Sequence, residues 1–214
     1  MLLTPEHTNA PVLHKVSALI TRKNGSTQDL LVFRHPTAGI QVPAGTVEAG
    51  ESLEDAVFRE IQEEAGITQV RLLKKLATLE QPLKTNQRVL LQSTRLMSEP
   101  EGGLLEFSLT RGTIVRMRRQ QKQATEIAYE EYDFNLPDPV AIERFKGWIP
   151  SFILTSYIQR HLFHLCTTAP LPEEWSVRAD RGFDFHFYWM SLQERIHLVH
   201  SQDHWLNYLY NELK

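Results

Sequence analysis

The sequence predicts an α/β (α+β) fold interrupted by a small all-β insertion, and three features carry that expectation. Short runs rich in Val, Leu and Ile are separated by turn residues near the start. One helix is marked at both ends, between Ser52 and Gly66. Residues 99–156 alternate apolar and polar positions and differ in character from the chain on either side. With 214 residues, 42% of them hydrophobic, the chain can build one good-sized domain plus a small module without crosslinks. The expected layout is a main domain over 10–98 and 157–214, with the inserted module at 99–156.

In chain order, residues 14–21 and 29–33 read as a β-hairpin about the turn-forming Lys23-Asn24-Gly25-Ser26. Residues 39–42 give a third strand, ended by Pro43-Ala44-Gly45 before a loop that runs through Gly50. Ser52 can cap a following helix, Asp55 stands where a reciprocal capping carboxylate belongs, and Gly66 stops it, so the helix covers 53–65. Leu53, Val57, Phe58, Ile61 and Ala65 form one broad apolar arc on that helix, and Glu60, Glu63 and Glu64 lie on the neighbouring arc. Strands follow at 70–79 and 89–96, then at 104–109, 113–118 and 127–132 within the insertion. There Arg116, Arg118, Arg119 and Lys122 precede Glu126, Glu130, Glu131 and Asp133, a pattern expected of solvated faces on neighbouring strands. The last part returns to strands at 161–166 and 183–192 and ends in an amphipathic helix over 202–213.

Composition excludes several classes. With 23 basic and 26 acidic residues, net charge -3, no global field draws the chain to nucleic acid or an anionic membrane. The single Cys166 rules out an internal disulfide, and residues 1–16 lack the apolar run of a signal or anchor, which makes a cytoplasmic protein the expectation. His161, His164 and Cys166 are close in sequence, as are His197, His200 and His204. Strand alternation sends His161 and His164 to opposite faces, and no second cysteine completes a structural zinc site, so no zinc is expected. Cys166 has no evident base partner and reads as an inert strand thiol.

The chemistry is concentrated on the helix. Three glutamates this close raise one another's pKa values unless something positive sits among them, and a divalent cation is the natural partner. All-oxygen donors suit hard Mg²⁺, with Mn²⁺ as the second choice. The plain alternative is a surface helix with an acidic stripe. Against it stands a larger pattern: Gly45, then Glu51, then Arg59-Glu60-Ile61-Gln62-Glu63-Glu64-Ala65-Gly66-Ile67 resembles a complete Nudix box, and the lead-in from Pro43 to Glu51 fits the same family.

That resemblance implies an α/β/α sandwich around a mixed β-sheet, and an Mg²⁺-dependent hydrolase that opens the diphosphate linkage of a nucleoside diphosphate derivative. It gives Glu60, Glu63, Glu64 and Gly45 to the metal, Glu51 to a further metal or water contact, and Arg59 to holding a glutamate by a charge-assisted hydrogen bond. The general base stays open between Glu63, Glu64 and an acid on a distant loop. Pro82 stands near where relatives that cleave ADP-ribose carry a proline, although a proline after a strand is also ordinary punctuation. Phe185 and Phe187 could stack a base, although aromatic strands more commonly make core. Within the insertion, Arg111-Gly112-Thr113-Ile114-Val115 and Gly147-Trp148-Ile149-Pro150-Ser151 resemble the first and last strands of a bacterial SH3-like barrel, which implies a module able to bind a protein partner or cover the active site. Homodimers are common among Nudix relatives. The competing function is a catalytically silent Nudix-fold nucleotide sensor that binds a partner through the insertion. A prenyl-diphosphate isomerase on the same fold would need a well-placed cysteine, for which Cys166 is a poor candidate.

Overall fold

The expected hairpin forms from β1 (Leu13–Asn24) and β2 (Thr27–His35), antiparallel with Thr21 opposite Leu30 and Asn24 opposite Thr27. The coordinates are a computed structural model that describes residues 10–133, 140–178 and 184–214. Phe183, part of the 99–156 segment and most of the 1–16 leader reading lie outside the described residues. The chain divides into two compact units. One comprises His14–Leu79, Glu130–Arg144 and Arg160–Lys214; the other comprises Glu80–Tyr129 and Phe145–Gln159 with the residues up to Leu13.

The first unit is built on a sheet ordered β14-β15-β2-β1-β13-β5, from β5 (Val70–Glu80), β13 (Ile158–Thr167), β14 (Glu174–Arg178) and β15 (Asp184–Ser191). The sheet is mixed. Arg160 reaches Val16 O and Thr21 reaches Leu165 O, so β13 runs parallel to β1, while β15 is antiparallel to β2. Helix α1 (Leu53–Ala65) covers one face and α2 (Leu206–Glu212) the other. Alternation along β1 feeds both cores: Val16, Ala18 and Ile20 pack toward α1 with Ile61, Phe163 and Phe187, and Leu19 packs toward α2 with Leu162, Trp205 and Leu209. This is the α/β/α sandwich that the sequence predicts. Among the described residues no helix is long and apolar enough to cross a membrane.

Two short strands shape the functional end of this sheet. β3 (Gly39–Gln41) runs antiparallel to β2, with Gln41 opposite Phe33, and β4 (Ala44–Thr46) runs antiparallel to β1, with Thr46 opposite Lys15. The chain enters beside β2, crosses at Val42-Pro43 and leaves beside β1, so β3 and β4 form a V in the sheet. Its apex is stitched by Ala18 N–H donating to Pro43 O at 2.8 Å and Val42 N–H donating to Gln202 Oε1 at 3.1 Å.

The second unit holds a sheet ordered β12-β6-β9-β10-β11-β7-β8. Its strands are β6 (Gln87–Leu90), β7 (Thr94–Met97), β8 (Leu104–Leu109), β9 (Ile114–Gln121), β10 (Ala124–Asp133), β11 (Val140–Pro150) and β12 (Leu154–Thr155). Leu90, Leu96, Leu109, Val115, Ile127 and Ile149 form its core. Of the segregated charges, Arg119 pairs with Glu126 across β9 and β10 at 3.0 Å, and Lys122 pairs with Glu101 at 2.6 Å.

Three expected elements differ, the first being the loop from Pro43 to Gly50, in which Ala44–Thr46 pairs with β1 as β4. The run 89–96 is two strands, β6 and β7, at separate places in the order. Leu91 N–H is drawn to Ile153 O, and Ser93 Oγ accepts from Arg111 N–H, which bends the chain between them. The terminal helix starts as a 3₁₀ turn, His200–Trp205, because Asp203 Oδ1 accepts from Leu198 N–H and Gln202 turns to the V.

Candidate active site

Helix α1 is positioned from both ends. Ser52 Oγ accepts from Asp55 N–H at 3.0 Å, and Gly66 closes the helix at φ +69°, with its N–H donating to Gln62 O. The Trp175 indole N–H of β14 donates to Ala65 O at 2.8 Å, which satisfies a terminal carbonyl that the helix itself leaves open. Val57, Ile61 and Ala65 are buried as expected, and Ala56 joins them. Phe58, at the margin of the arc, is 38% exposed.

Arg59 organises the acidic edge through five hydrogen bonds. Its Nε and Nη2 form a fork on Glu51 at 2.8 and 3.0 Å, Nη1 donates to Glu60 and to Glu63 at 2.9 Å each, and Nη2 also donates to Thr46 O at 3.1 Å. The fork holds the Glu51 carboxyl below the ordinary range, and the same carboxylate raises the Arg59 guanidinium. Glu60 shifts the other way: burial pushes its carboxyl up against the pull of Arg59. It lies on Gly45, where any Cβ would stand 1.8 Å from Glu60 Cδ. Glu64 accepts from Ala44 N–H at 2.9 Å, which ties the helix to β4, and Glu63 has its side chain 59% exposed. The box residues Gly45, Glu51, Arg59, Glu60, Glu63 and Glu64 therefore meet around one short strand.

Among the described residues, no three His, Cys, Asp or Glu side chains converge as a formed metal cage. The carboxylates turn onto the Arg59 guanidinium, which is already a cation at their centre. The donor set nevertheless fits a hard divalent ion: every donor is oxygen, and burial keeps the Glu60 carboxyl raised despite Arg59, so further positive charge would favour its ionised form.

Of the substrate-side residues named from the sequence, Phe185 and Phe187 pack in the core of the first unit. Phe187 is fully buried, stacked on Trp175 at 5.4 Å and set against Phe33, so its ring is core and offers no surface to a ligand. Phe185 is 8% exposed, stacks on Phe33 and touches His35, whose imidazole pKa burial lowers. Pro82 is exposed in the loop after β5 and belongs to the second unit. Sequence reasoning missed Trp175, the Ala44 N–H and the Thr46 carbonyl. The last two are backbone groups, which no side-chain pattern reveals.

Residues 13–106 of the chain, less than half of its length, match the NUDIX domain family. The chain is similar to the ADP-ribose pyrophosphatase of Saccharomyces cerevisiae, with 32% identity over 92 residues. That alignment covers 40% of this chain and 40% of the yeast protein, so the chain matches well under half the length of this curated relative. Among solved structures it resembles the NUDIX domain of Shewanella oneidensis NrtR complexed with ADP ribose (TM-score 0.49, 10% identity, 99% of this chain and 94% of that one). It also resembles C. elegans Ap4A hydrolase (TM-score 0.45, 14% identity, 95% and 100%). These two likenesses are loose, and no assignment rests on them.

Proposed function

We propose that the chain is a metal-dependent Nudix pyrophosphohydrolase that cleaves the diphosphate linkage of a nucleoside diphosphate derivative. ADP-ribose is the first substrate to test, followed by nucleotide sugars and dinucleoside polyphosphates. The supporting observation is the folded box itself: Arg59 gathers Glu51, Glu60 and Glu63 on the edge of α1 while Glu64 anchors that edge to β4. The 32% identity to an ADP-ribose pyrophosphatase supports the same reading.

Glu60, Glu63 and Glu64 would hold Mg²⁺ or Mn²⁺, with Gly45 leaving room for the Glu60 carboxylate. When bound, such an ion neutralises diphosphate charge and acidifies a water that attacks phosphorus. The chain's own part is orientation and proton handling. Glu64, fixed by the Ala44 N–H, sets the distance between helix and strand. Arg59 keeps Glu51 ionised beside the β4 backbone. Glu63 is held by an exposed i,i+4 pair worth about 0.3–0.5 kcal/mol, so it is the carboxylate most easily redirected to a water proton.

The test is turnover of the substrate panel with Mg²⁺, with products resolved by chromatography and Glu63→Gln as control. Hydrolysis of one class, reduced about 100-fold or more in the variant, is expected. A folded protein that binds a nucleotide and turns over none of the panel would leave only the sensor reading.

A further inference from the structure

The two arms of the V are held from different places. Neighbouring residues of a strand send their backbone groups to opposite edges. Pro43 O accepts from Ala18 N–H and Val47 N–H donates to His14 O, so the groups of Ala44 and Thr46 between them face into the V. Helix α1 takes both: Glu64 accepts from Ala44 N–H at 2.9 Å and Arg59 donates to Thr46 O at 3.1 Å. The facing edge of β3 is taken by the C-terminal segment instead. There Val199 N–H donates to Ile40 O at 2.9 Å and Gln202 Oε1 accepts from Val42 N–H at 3.1 Å.

Gln202 is seated for that task. It is buried, its N–H donates to Val199 O at 2.8 Å, and its Nε2 lies 3.4 Å from Gln41 Oε1. Asp203 Oδ1 accepts from Leu198 N–H at 2.7 Å and closes the same turn, and Trp205 and Leu206 just beyond pack on the α2 face of the sheet. Val42 is fully buried, so without Gln202 its N–H would lose its acceptor away from water. Pro43 carries no N–H, which makes Val42 and Ala44 successive donors along the apex. One is held by Gln202 of the C-terminal segment, the other by Glu64 of α1.

We propose that Gln202 is a positioning residue for the acidic edge of α1: its hold on Val42 N–H fixes the apex, and the apex sets where Ala44 N–H meets Glu64. The inference rests on the hydrolase reading for what the box binds.

Titration with Mn²⁺, read by electron paramagnetic resonance, tests it on wild type, Gln202→Leu, Gln202→Glu and Leu209→Ala, with melting temperatures alongside. Gln202→Leu keeps most of the bulk and removes the acceptor, and should weaken Mn²⁺ binding about tenfold or more. Gln202→Glu keeps an acceptor oxygen and should stay within about threefold of wild type. Leu209→Ala cuts a fully buried side chain of the cluster that holds Val42 and leaves the hydrogen bonds in place, so it should melt earlier and bind Mn²⁺ like wild type. Amide hydrogen exchange at Ala44 should quicken in Gln202→Leu and not in Leu209→Ala. A folded Gln202→Leu protein that takes Mn²⁺ like wild type overturns the positioning role, as does a Leu209→Ala protein that loses Mn²⁺ equally, or a wild type that binds none. If Gln202→Leu does not fold, Gln202→Asn, which draws the amide back by one methylene, carries the same expectation. Mn²⁺ binding that depends on Gln202, in a protein that hydrolyses none of the substrate panel, supports the positioning role and sinks the hydrolase reading alone.

Discussion

Gly45 shows how one absent side chain sets the geometry of the site. A Cβ there would meet the Glu60 carboxylate at 1.8–2.1 Å, and the obstructing atoms are the free end of a side chain, which can swing away. Gly45→Ala is therefore expected to spare the fold while displacing a proposed metal ligand. The melting temperature should stay within a degree or two, and Mg²⁺-dependent turnover should fall about 10- to 100-fold. A variant that melts early and keeps full activity would show that Glu60 does not matter where it lies. Arg59→Lys is a sharper test, since one ammonium cannot reproduce a fork on Glu51 together with bonds to Glu60, Glu63 and Thr46 O. Activity should drop by about an order of magnitude or more although the charge is kept, and a Lys variant with wild-type turnover would reduce Arg59 to a simple counter-ion. The acidic stripe itself was readable in the sequence, because side-chain type and helical spacing determine it. The partners that fix the stripe were not readable: Ala44 N–H and Thr46 O are backbone groups, and Trp175 comes to Ala65 from a distant strand.

Helix α1 matches its expected limits because its stop and start signals are local: Ser52 bonds three residues ahead and Gly66 adopts the left-handed conformation that ends the last turn. Strands and helices stopped by distant groups were harder to read. The break between β6 and β7 depends on Ile153 and Arg111, and the 3₁₀ start of the last helix depends on Leu198 and the V, so neither leaves a trace in the local pattern. The tertiary cap on α1 is testable. Trp175→Phe keeps most of the ring against Phe187 and deletes the bond to Ala65 O, and should cost about 1 kcal/mol in urea denaturation. β1, β13 and β5 are joined by a polar chain in which His14 Nδ1 lies 3.0 Å from His161 Nε2 and His161 Nδ1 lies 3.1 Å from Thr78 Oγ1. Burial first, then Lys75 and His14, press the His161 imidazole down to about 4. The folded state holds it neutral where the unfolded chain, titrating near 6.5, takes up a proton. Stability is thus full above pH 6.5 and declines on acidification toward pH 4, by on the order of 3 kcal/mol from this group. His164, bonded to Thr21 and lowered by burial and Lys74, adds in the same direction. Urea midpoints from pH 7 to 4.5 should show the slope, and His161→Gln should flatten it; an unchanged slope would place the acid sensitivity elsewhere.

At the scale of the chain, the mixed sheet could be anticipated only through the family pattern, because its central pairing brings β13 beside β1 from far along the sequence. Local alternation does not report such a partner, nor does it report that β6 and β7 pair inside the second sheet. Each unit closes its own core: Ile61, Phe163 and Phe187 on one side of the first sheet and Leu90, Leu96, Ile127 and Ile149 in the second. Both Ile61 and Ile127 are fully buried, so truncating either to Ala should cost about 2–5 kcal/mol through lost contacts and a residual cavity. The separation of cores decides where that cost appears. In native-state hydrogen exchange, Ile127→Ala should lower protection through β6, β9 and β10 and leave α1 near its wild-type protection, and Ile61→Ala should do the reverse. Mg²⁺-dependent turnover should then survive Ile127→Ala and fall in Ile61→Ala, since Ile61 seats the helix that carries Arg59 and the glutamates. If Ile127→Ala deprotects α1 as strongly as its own sheet, the two units unfold as a single cooperative body, and the insertion must be counted as part of what holds the box in place.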